Sequence, residues 1–302
     1  MIIDFRVRPP IEETRKGTLE TPEDPFSGYF QVYKKSQKST AYNKEEVAKI
    51  YDMGFEKFLE MLKELGIVKI VCCARDVETT YGLKLSNESI SRLVEKYPEM
   101  VIGFAGVDPH KGRLAVKELE NAVKILGLRG LQLEPYLHQM YVFDKKYYPI
   151  YEKCVELDIP IWIHTSMNWS HKLKIDLGRP IYLENVAIDF PQLKIVAGHN
   201  GWPWVNELCA LAWKWPNIYI DTSSIRQKYF AVPGTGYEML LHLGNTTIQD
   251  KILFGSGFPL LPIKQAIEDV RALPLKESVR EKWFYKNAAR LLGLDLGKKG
   301  DE

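Results

Sequence analysis

The chain has 302 residues, of which 45% are hydrophobic and 26% are charged, and its formal net charge at pH 7 is +2. These values are ordinary for a globular protein with a large core, and the small net charge argues against a nucleic-acid partner or a membrane surface. We expect a cytoplasmic protein, because its four cysteines form no C-x-x-C pair and no signal peptide or apolar run of about 20 residues is present.

Eight short apolar runs alternate with helical patterns along the chain. Most runs are nearly continuous in Val, Ile, Leu and aromatic residues, which is typical of parallel strands buried on both faces. The predicted strands are Ile2–Val7, Ile67–Cys73, Val101–Val107, Gly130–Leu133, Pro160–His164, Lys194–Gly198, Ile218–Asp221 and Ile252–Gly255. This alternation predicts an α/β fold, a single (β/α)8 TIM barrel. The alternative is an open doubly wound sheet, but no G-x-G-x-x-G follows the first strand.

Residues 9–43 interrupt the alternation with a long polar segment that contains several aromatic residues. Because the segment follows the first strand, the barrel architecture places it at the mouth, where active sites form. We therefore expect residues 1–296 to form one barrel, with the insert 9–43 over its mouth as an active-site cover or as a contact in a homodimer. Disorder of the insert is the alternative, and residues 297–302 are expected to form a flexible tail.

Polar side chains that follow the carboxyl ends of barrel strands converge on one pocket. The residues at these positions are Arg6, Arg8, Arg75, Gln132, Glu134, His164, His199, Asp221, Thr222, Ser256 and Gly257. Two histidines at adjacent strand ends beside an acid favour a catalytic role for His199, His164 and Asp221.

A second group of these residues is predicted to bind the substrate. Arg6 and Arg8 could clamp a carboxylate or phosphate, or could serve as structural ion-pair partners, and we favour anion binding. Tyr136 and Trp169 directly follow strand ends and could line a pocket for a flat or apolar substrate, and Glu134 lies beside them in the sequence. Cations next to the histidines would lower the histidine pKa values, so that neutral imidazoles could accept protons.

Six motifs in order resemble the amidohydrolase-related family that includes aminocarboxymuconate-semialdehyde decarboxylase. The first, I-D-F-R-V-R at Ile3–Arg8, corresponds to the family's I-D-x-H-x-H, and I-L-F-G-S-G-F-P at Ile252–Pro259 corresponds to its I-L-F-G-S-D-F-P. The other similar segments are Pro160–Thr165, Gly198–Glu207, Tyr219–Ser223 and Asn287–Leu292. The resemblance covers nearly the whole chain and implies a (β/α)8 barrel.

The resemblance also implies a divalent metal, held by the two opening histidines, the strand-five histidine and the strand-eight aspartate. Only His164 of that set is retained, since Arg6, Arg8 and Gly257 cannot ligate a metal. We therefore expect a degenerate metal site and no cofactor at the family position. The alternative is zinc or another divalent metal at a relocated site with His164, His199 and one of the nearby carboxylates.

The leading hypothesis is an amidohydrolase-superfamily decarboxylase, a lyase, or a hydrolase that acts on a small cyclic or aromatic carboxylate. In this hypothesis the enzyme is metal-independent, because Arg6 and Arg8 supply the charge that the metal would supply. His199, which matches the family's acid–base histidine, transfers the proton, and His164 and Asp221 orient or assist. The alternative is a catalytically retired barrel that binds a small anion or scaffolds a partner. Fold-level analogy does not choose between decarboxylation, hydrolysis and hydration.

Overall fold

The structure, a computed structural model of the chain, describes residues 1–19 and 44–296. Most of the predicted insert, residues 20–43, and the predicted tail, residues 297–302, lie outside the described residues. The division into one barrel, an insert and a tail therefore stays a prediction. None of the helices in the described ranges has the length and apolar character that a membrane-spanning segment requires.

Eight parallel strands form one sheet, and each lies within one of the eight predicted apolar runs. In sheet order they are β1 (Ile2–Val7), β2 (Ile67–Cys73), β5 (Val101–Gly106), β6 (Leu131–Leu133), β7 (Ile161–His164), β8 (Ile195–Gly198), β9 (Ile218–Asp221) and β10 (Ile252–Leu253). Two short strands, β3 (Arg75–Val77) and β4 (Leu83–Leu85), form a separate antiparallel pair.

The first and last barrel strands meet and bring the sheet close to complete closure. The amide of Phe5 donates to the carbonyl of Phe254 at 2.8 Å, and Val7 forms a parallel bridge with Phe258. Farther along, the amide of Arg8 donates to the carbonyl of Phe258 at 2.9 Å. The prediction of a single (β/α)8 TIM barrel is thus confirmed.

Helices follow the strands and cover the outside of the barrel. The α-helices are Glu12–Leu19, Lys44–Asp52, Phe55–Glu64, Glu78–Tyr81, Asn87–Lys96, Arg113–Lys124, Pro135–His138, Tyr148–Glu156, Leu183–Asp189, Val205–Lys214, Glu238–Gly244, Ile263–Ala272, Glu277–Glu281 and Asn287–Leu292. Within the two described ranges, 3-10 turns occur at Pro109–Lys111, Ile175–Gly178, Pro180–Tyr182, His199–Gly201 and Gln227–Ala231, and a π-helical turn occurs at Lys282–Lys286. The spacing of apolar residues over 44–65 predicts a single helix, but the structure divides it in two at Gly54, whose φ of 75° is easily reached only by glycine.

The inside of the barrel is apolar at its lower levels. Ile3 and Phe5 of β1 pack there against Phe104, Trp162 and apolar residues of the neighbouring strands. The closing helix Asn287–Leu292 contributes to the same cluster, so the amino-terminal end of the barrel is sealed. Polar side chains are consequently confined to the levels near the carboxyl ends of the strands, as in other barrels of this type.

Asp4 is a polar exception within β1 and links the two ends of the sheet. Its Oδ1 accepts hydrogen bonds from the amides of Ser256 at 2.9 Å and Arg6 at 3.2 Å. Its Oδ2 is buried without a hydrogen-bond partner in the described part of the chain. Burial is the largest effect on this carboxyl and raises its pKa to about 7, against the Ser256 and Arg6 hydrogen bonds that lower it.

We expect the Asp4→Asn variant to gain stability relative to the wild type as the pH rises from 5 to 8. Because the folded-state pKa of Asp4 is raised, its favourable contribution is complete below pH 3.8 and is lost as the pH rises through about 7. The loss is at most about 4 kcal/mol, and asparagine does not titrate. Urea unfolding at several pH values measures the difference. Asp158→Asn, at an exposed ion pair, is the control, and the same pH dependence in wild type and Asp4→Asn would contradict the expectation.

Candidate active site

Arg6 holds a buried guanidinium group at the mouth of the barrel. Its guanidinium carbon lies 4.0 Å from the centroid of the Trp162 ring, at a distance typical of a cation–π contact. Its Nη1 donates a hydrogen bond to Oε1 of Gln132. Its Nη2 lies 3.5 Å from Oε1 of Glu134 and has no hydrogen-bond partner among the described residues. Arg6 therefore has a fixed position, with an Nη2 that is ion-paired with Glu134 but makes no hydrogen bond within the described residues.

Glu134 is the counter-ion of this cluster. It accepts hydrogen bonds from Nε and Nη2 of Arg75 at 2.5 and 3.0 Å and from Nε2 of Gln132 at 3.1 Å. Burial alone would raise the pKa of Glu134, but Arg75, Arg6 and Arg8 outweigh burial and hold the pKa at about 2. Glu134 is therefore ionised at neutral pH. The guanidinium groups of Arg75 and Arg6 lie against this carboxylate, and the charge of Arg8 is near enough to lower its pKa further.

His164 ends β7 and lies almost completely buried beside this cluster. Its ring packs against Tyr136, with 4.4 Å between the ring centroids, and its Nε2 lies 3.3 Å from Oγ of Ser166. Its Nδ1 has no hydrogen-bond partner in the part of the chain that the structure describes. Burial is the main cause that lowers its pKa to about 3, and the guanidinium groups of Arg6 and its neighbours act in the same direction against Glu134. The imidazole is therefore neutral.

His199 follows β8 in an unusual backbone conformation. The φ angles of His199, Asn200 and Gly201 are 67°, 62° and 72°, three successive residues in the left-handed region. For non-glycine residues this conformation costs free energy, and such strain is concentrated at functional sites. The imidazole centroid of His199 lies 5.0 Å from that of His164 and 5.0 Å from the Trp162 ring. Burial, followed by the nearby His164 and Arg6, lowers the pKa of His199 well below its usual value.

Asp221 lies behind His199 and reaches it through Ser223. Its Oδ2 accepts hydrogen bonds from Oγ of Ser223 at 2.6 Å and from Nε1 of Trp162 at 2.9 Å. The same serine Oγ lies 2.8 Å from Nδ1 of His199. Burial raises the pKa of Asp221, and hydrogen bonds from Ser223 and Trp162 oppose that effect. Asp221 therefore interacts with the imidazole of His199 through Ser223 and not directly.

Most of the predicted site residues are brought together at the mouth. These are Arg6, Glu134, Tyr136, His164, His199 and Asp221, with the charge of Arg8 close enough to affect both histidines. Trp169 lies in the loop after β7 and stacks on Trp202, with 6.4 Å between the ring centroids. The roles assigned to all of these residues stay predictions.

Three further residues of the site were missed as functional candidates. These are Trp162, Ser166 and Ser223, none of which is among the predicted site residues. A signal for Ser223 does exist, because it stands two positions after Asp221, and alternate residues of an extended segment point to the same side. Arg75 and Gln132 were candidates by position only, and their contacts with Glu134 could not be predicted from spacing.

Comparison with known proteins identifies the family. The family model described as Amidohydrolase matches residues 44–294. A gamma-resorcylate decarboxylase from Polaromonas sp. (strain JS666) is 23% identical over 287 residues, which cover 80% of this chain and 84% of the relative. A 2-amino-3-carboxymuconate-6-semialdehyde decarboxylase from Dictyostelium discoideum is 27% identical over 248 residues, with 70% and 66% covered. These findings confirm the resemblance seen in the motifs.

Solved structures show the same fold. A 2,6-dihydroxybenzoate decarboxylase in complex with 2,6-dihydroxybenzoate superimposes with a TM-score of 0.70 at 18% identity, over 97% of this chain and 99% of that chain. Other solved decarboxylases of this fold hold bound manganese. The prediction of a site without a cofactor is therefore wrong for this fold, and its neighbours indicate a divalent metal.

The side chains at the mouth do not form a matching set of metal ligands. Within residues 1–19 and 44–296, no group of three or more His, Cys, Asp or Glu side chains could hold a metal ion. Glu134 is occupied by Arg75, and Asp221 is occupied by Trp162 and Ser223. The relocated site with His164 and His199 thus lacks its carboxylate.

The position of the family's aspartate ligand is closed as well. Gly257 has a φ of 76°, and a Cβ atom added to it would lie 2.7 Å from the amide nitrogen of Ser224. An aspartate would therefore require a movement of the segment around Ser224. The described residues at the mouth thus do not fit the metal, and the chemistry that they support is that of their own side chains.

We expect the Glu134→Gln variant to lose about 3 kcal/mol of unfolding free energy, because it removes the buried carboxylate that pairs with Arg75 and lies 3.5 Å from the buried guanidinium group of Arg6. Urea unfolding measures the loss. The matched control is Glu207→Gln, which removes a carboxylate from Arg179 in a pair that is considerably more exposed and should lose less than about 1 kcal/mol. Equal losses in the two variants would contradict the assignment of Glu134 as the central counter-ion.

Proposed function

The chain belongs to the amidohydrolase family, and we propose that it is a carboxy-lyase that removes CO2 from a hydroxylated aromatic carboxylate. The names of the decarboxylase relatives support this choice of reaction. The structural observation that carries the proposal is a pair of buried polar atoms at the barrel mouth. Nη2 of Arg6 and Nδ1 of His164 both lack a hydrogen-bond partner in the described ranges.

Arg6 binds the carboxylate of the substrate in this proposal. A buried donor without a partner costs about 1–3 kcal/mol, which a substrate oxygen at Nη2 would recover. A charged donor and a charged acceptor form a stronger hydrogen bond than neutral groups do, and Arg8 supplies further positive charge nearby. Trp162 and Gln132 keep the guanidinium in place before the substrate arrives.

His199 moves the proton. Decarboxylation breaks the bond between the ring carbon and the carboxylate carbon, the electron pair stays with the ring, CO2 leaves, and one proton must be added to the ring carbon. A neutral His199 accepts the proton of the substrate's own hydroxyl group and passes it to that carbon. The product then leaves as a phenolate, which water protonates, so that atoms and charge balance. The guanidinium groups stabilise the negative charge on oxygen during these steps.

The remaining predicted residues shape the pocket. Tyr136 packs against the ring of His164. In this proposal it limits the space beside the carboxylate of the substrate. Trp169 and Trp202 place two stacked indole rings in the loops after β7 and β8. We propose that Trp169 covers the ring of the substrate, since aromatic faces favour offset stacking with other flat rings.

The proposal is tested with purified protein and a panel of hydroxylated benzoates that begins with 2,6-dihydroxybenzoate. Release of CO2 and formation of the phenol are followed, with added Mn²⁺ and with a chelator in parallel. We expect turnover of at least one compound. We expect Arg6→Gln to lower kcat/KM by about 10- to 100-fold, as for the loss of a charged hydrogen bond. The control Arg179→Gln, on an exposed ion pair outside the site, should leave kcat/KM unchanged.

Two results would contradict the proposal. A panel compound that raises Tm but is not converted under either metal condition would favour the retired, anion-binding barrel. Unchanged kcat/KM in Arg6→Gln, with turnover in the wild type, would remove Arg6 from substrate binding.

A further inference from the structure

We propose that Ser223 is a positioning residue that fixes the tautomer of His199, so that Nδ1 carries the hydrogen and Nε2 presents its lone pair to the substrate. The inference rests on the proposed function only for its catalytic consequence. It starts from one continuous chain of hydrogen-bonding atoms. Oδ2 of Asp221, Oγ of Ser223 and Nδ1 of His199 follow each other at 2.6 and 2.8 Å.

Counting the available hydrogens shows which atom donates and which accepts in each of these two hydrogen bonds. Asp221 faces three donor groups, because Nε1 of Trp162 and the hydroxyl of Ser223 point to Oδ2 and the amide of Ser223 points to Oδ1. An ionised carboxylate only accepts hydrogen bonds, and a serine hydroxyl has only one hydrogen to donate. If that hydrogen goes to Asp221, the serine oxygen must accept from His199. Nδ1 of His199 then carries the hydrogen, and its Nε2 does not.

The carboxylate cannot easily leave this position. Asp221 and Ser223 are fully buried. A Cβ atom added at Gly255 would lie 2.2 Å from Oδ1 of Asp221, so the carboxylate rests directly against the backbone after β10. The indole of Trp162 holds the other oxygen. Asp221 is thus a fixed acceptor, and Ser223 transmits its orientation to the imidazole.

The imidazole ring is restrained on its other sides as well. Trp162 and His164 both meet it at an interplanar angle of 73°, with centroids 5.0 Å away. The left-handed backbone conformation of His199 sets the direction of its Cα–Cβ bond. A ring flip would break the bond to Ser223 without an evident replacement on that side. The contacts of His199 with its neighbours therefore favour one ring orientation, and Ser223 selects one tautomer.

The tautomer determines which reaction the imidazole can start. With Nε2 unprotonated, His199 can accept the proton of a substrate hydroxyl at once. With the hydrogen on Nε2, that nitrogen could not accept the proton of the substrate. It could give up its own hydrogen only after Nδ1 had taken a proton and the ring had become a cation beside the guanidinium groups of Arg6 and Arg8. The position of a single hydrogen thus decides whether Nε2 of His199 can accept a proton.

The test is NMR of the whole protein labelled with ¹³C and ¹⁵N in histidine, because imidazole carbon and nitrogen shifts distinguish the two neutral tautomers. The chain has six histidines, and His199→Gln assigns the signal. We expect wild-type His199 to be neutral with its hydrogen on Nδ1 between pH 6 and 8. Ser223→Ala should give a mixture of tautomers, and Ser223→Thr, which keeps the hydroxyl, should restore the wild-type state. Ser166→Ala, beside Nε2 of His164, should leave the His199 tautomer unchanged.

Kinetics supply a second measurement. Ser223→Ala should lower kcat by at least about tenfold with little change in KM, and Ser223→Thr should recover most of it. Thermal melting shows whether each variant is folded.

The inference is overturned if wild-type His199 carries its hydrogen on Nε2, which would mean that Asp221 is protonated and the chain runs in the opposite direction. An unchanged tautomer in folded Ser223→Ala overturns it too. Because the NMR measurement needs no substrate, a failure of the proposed function and a failure of this inference give different results.

Discussion

The site depends on the way in which a barrel of apolar strands accommodates buried guanidinium groups. A buried charge is tolerated only where it is paired and hydrogen-bonded. Glu134 meets that requirement for Arg75 and partly for Arg6, while Gln132 and the face of Trp162 hold the rest of the Arg6 side chain. The charges of Arg6 and Arg8 add to burial in lowering the pKa values of the neighbouring histidines.

The two histidines show this influence most directly. Burial and the nearby guanidinium groups both disfavour the protonated form of each imidazole, and both therefore lower its pKa. Neutral imidazoles still need hydrogen-bond partners in defined tautomers. Ser223 supplies such a partner to Nδ1 of His199, whereas Nδ1 of His164 has none among the described residues. The burial that keeps the rings neutral therefore also makes the arrangement of single hydrogens important.

The barrel could be predicted from the sequence because each strand is a nearly continuous apolar run, as in β7 and β8, and such runs have few alternative structures. The break at Gly54 could not, because a glycine with positive φ leaves the helical spacing of its neighbours unchanged. The strand-end positions of His164, His199 and Arg6 predicted that these residues lie near one another, as they do around Trp162. Contacts that cross the barrel, such as the one between Trp162 and Asp221, depend on side-chain length and ring orientation, which spacing does not encode. The cofactor prediction was drawn from the ligands missing at Arg6, Arg8 and Gly257, and decarboxylases of the same fold that hold manganese overturn it.

In the proposed function, the positive charges of Arg6 and Arg8 would also link substrate binding to proton transfer. Without an anion, the guanidinium groups and burial keep His199 from holding a proton. A carboxylate bound at Arg6 would place negative charge near the imidazole, and an opposite charge within a few ångströms raises the pKa of a histidine. The ring would therefore become a better proton acceptor only while an anion is bound. In the proposed function, the electrostatic arrangement that attracts a carboxylate would thus prevent premature protonation, and the hydrogen bonds from Asp221 through Ser223 would keep the accepting nitrogen of His199 in place until the substrate is bound.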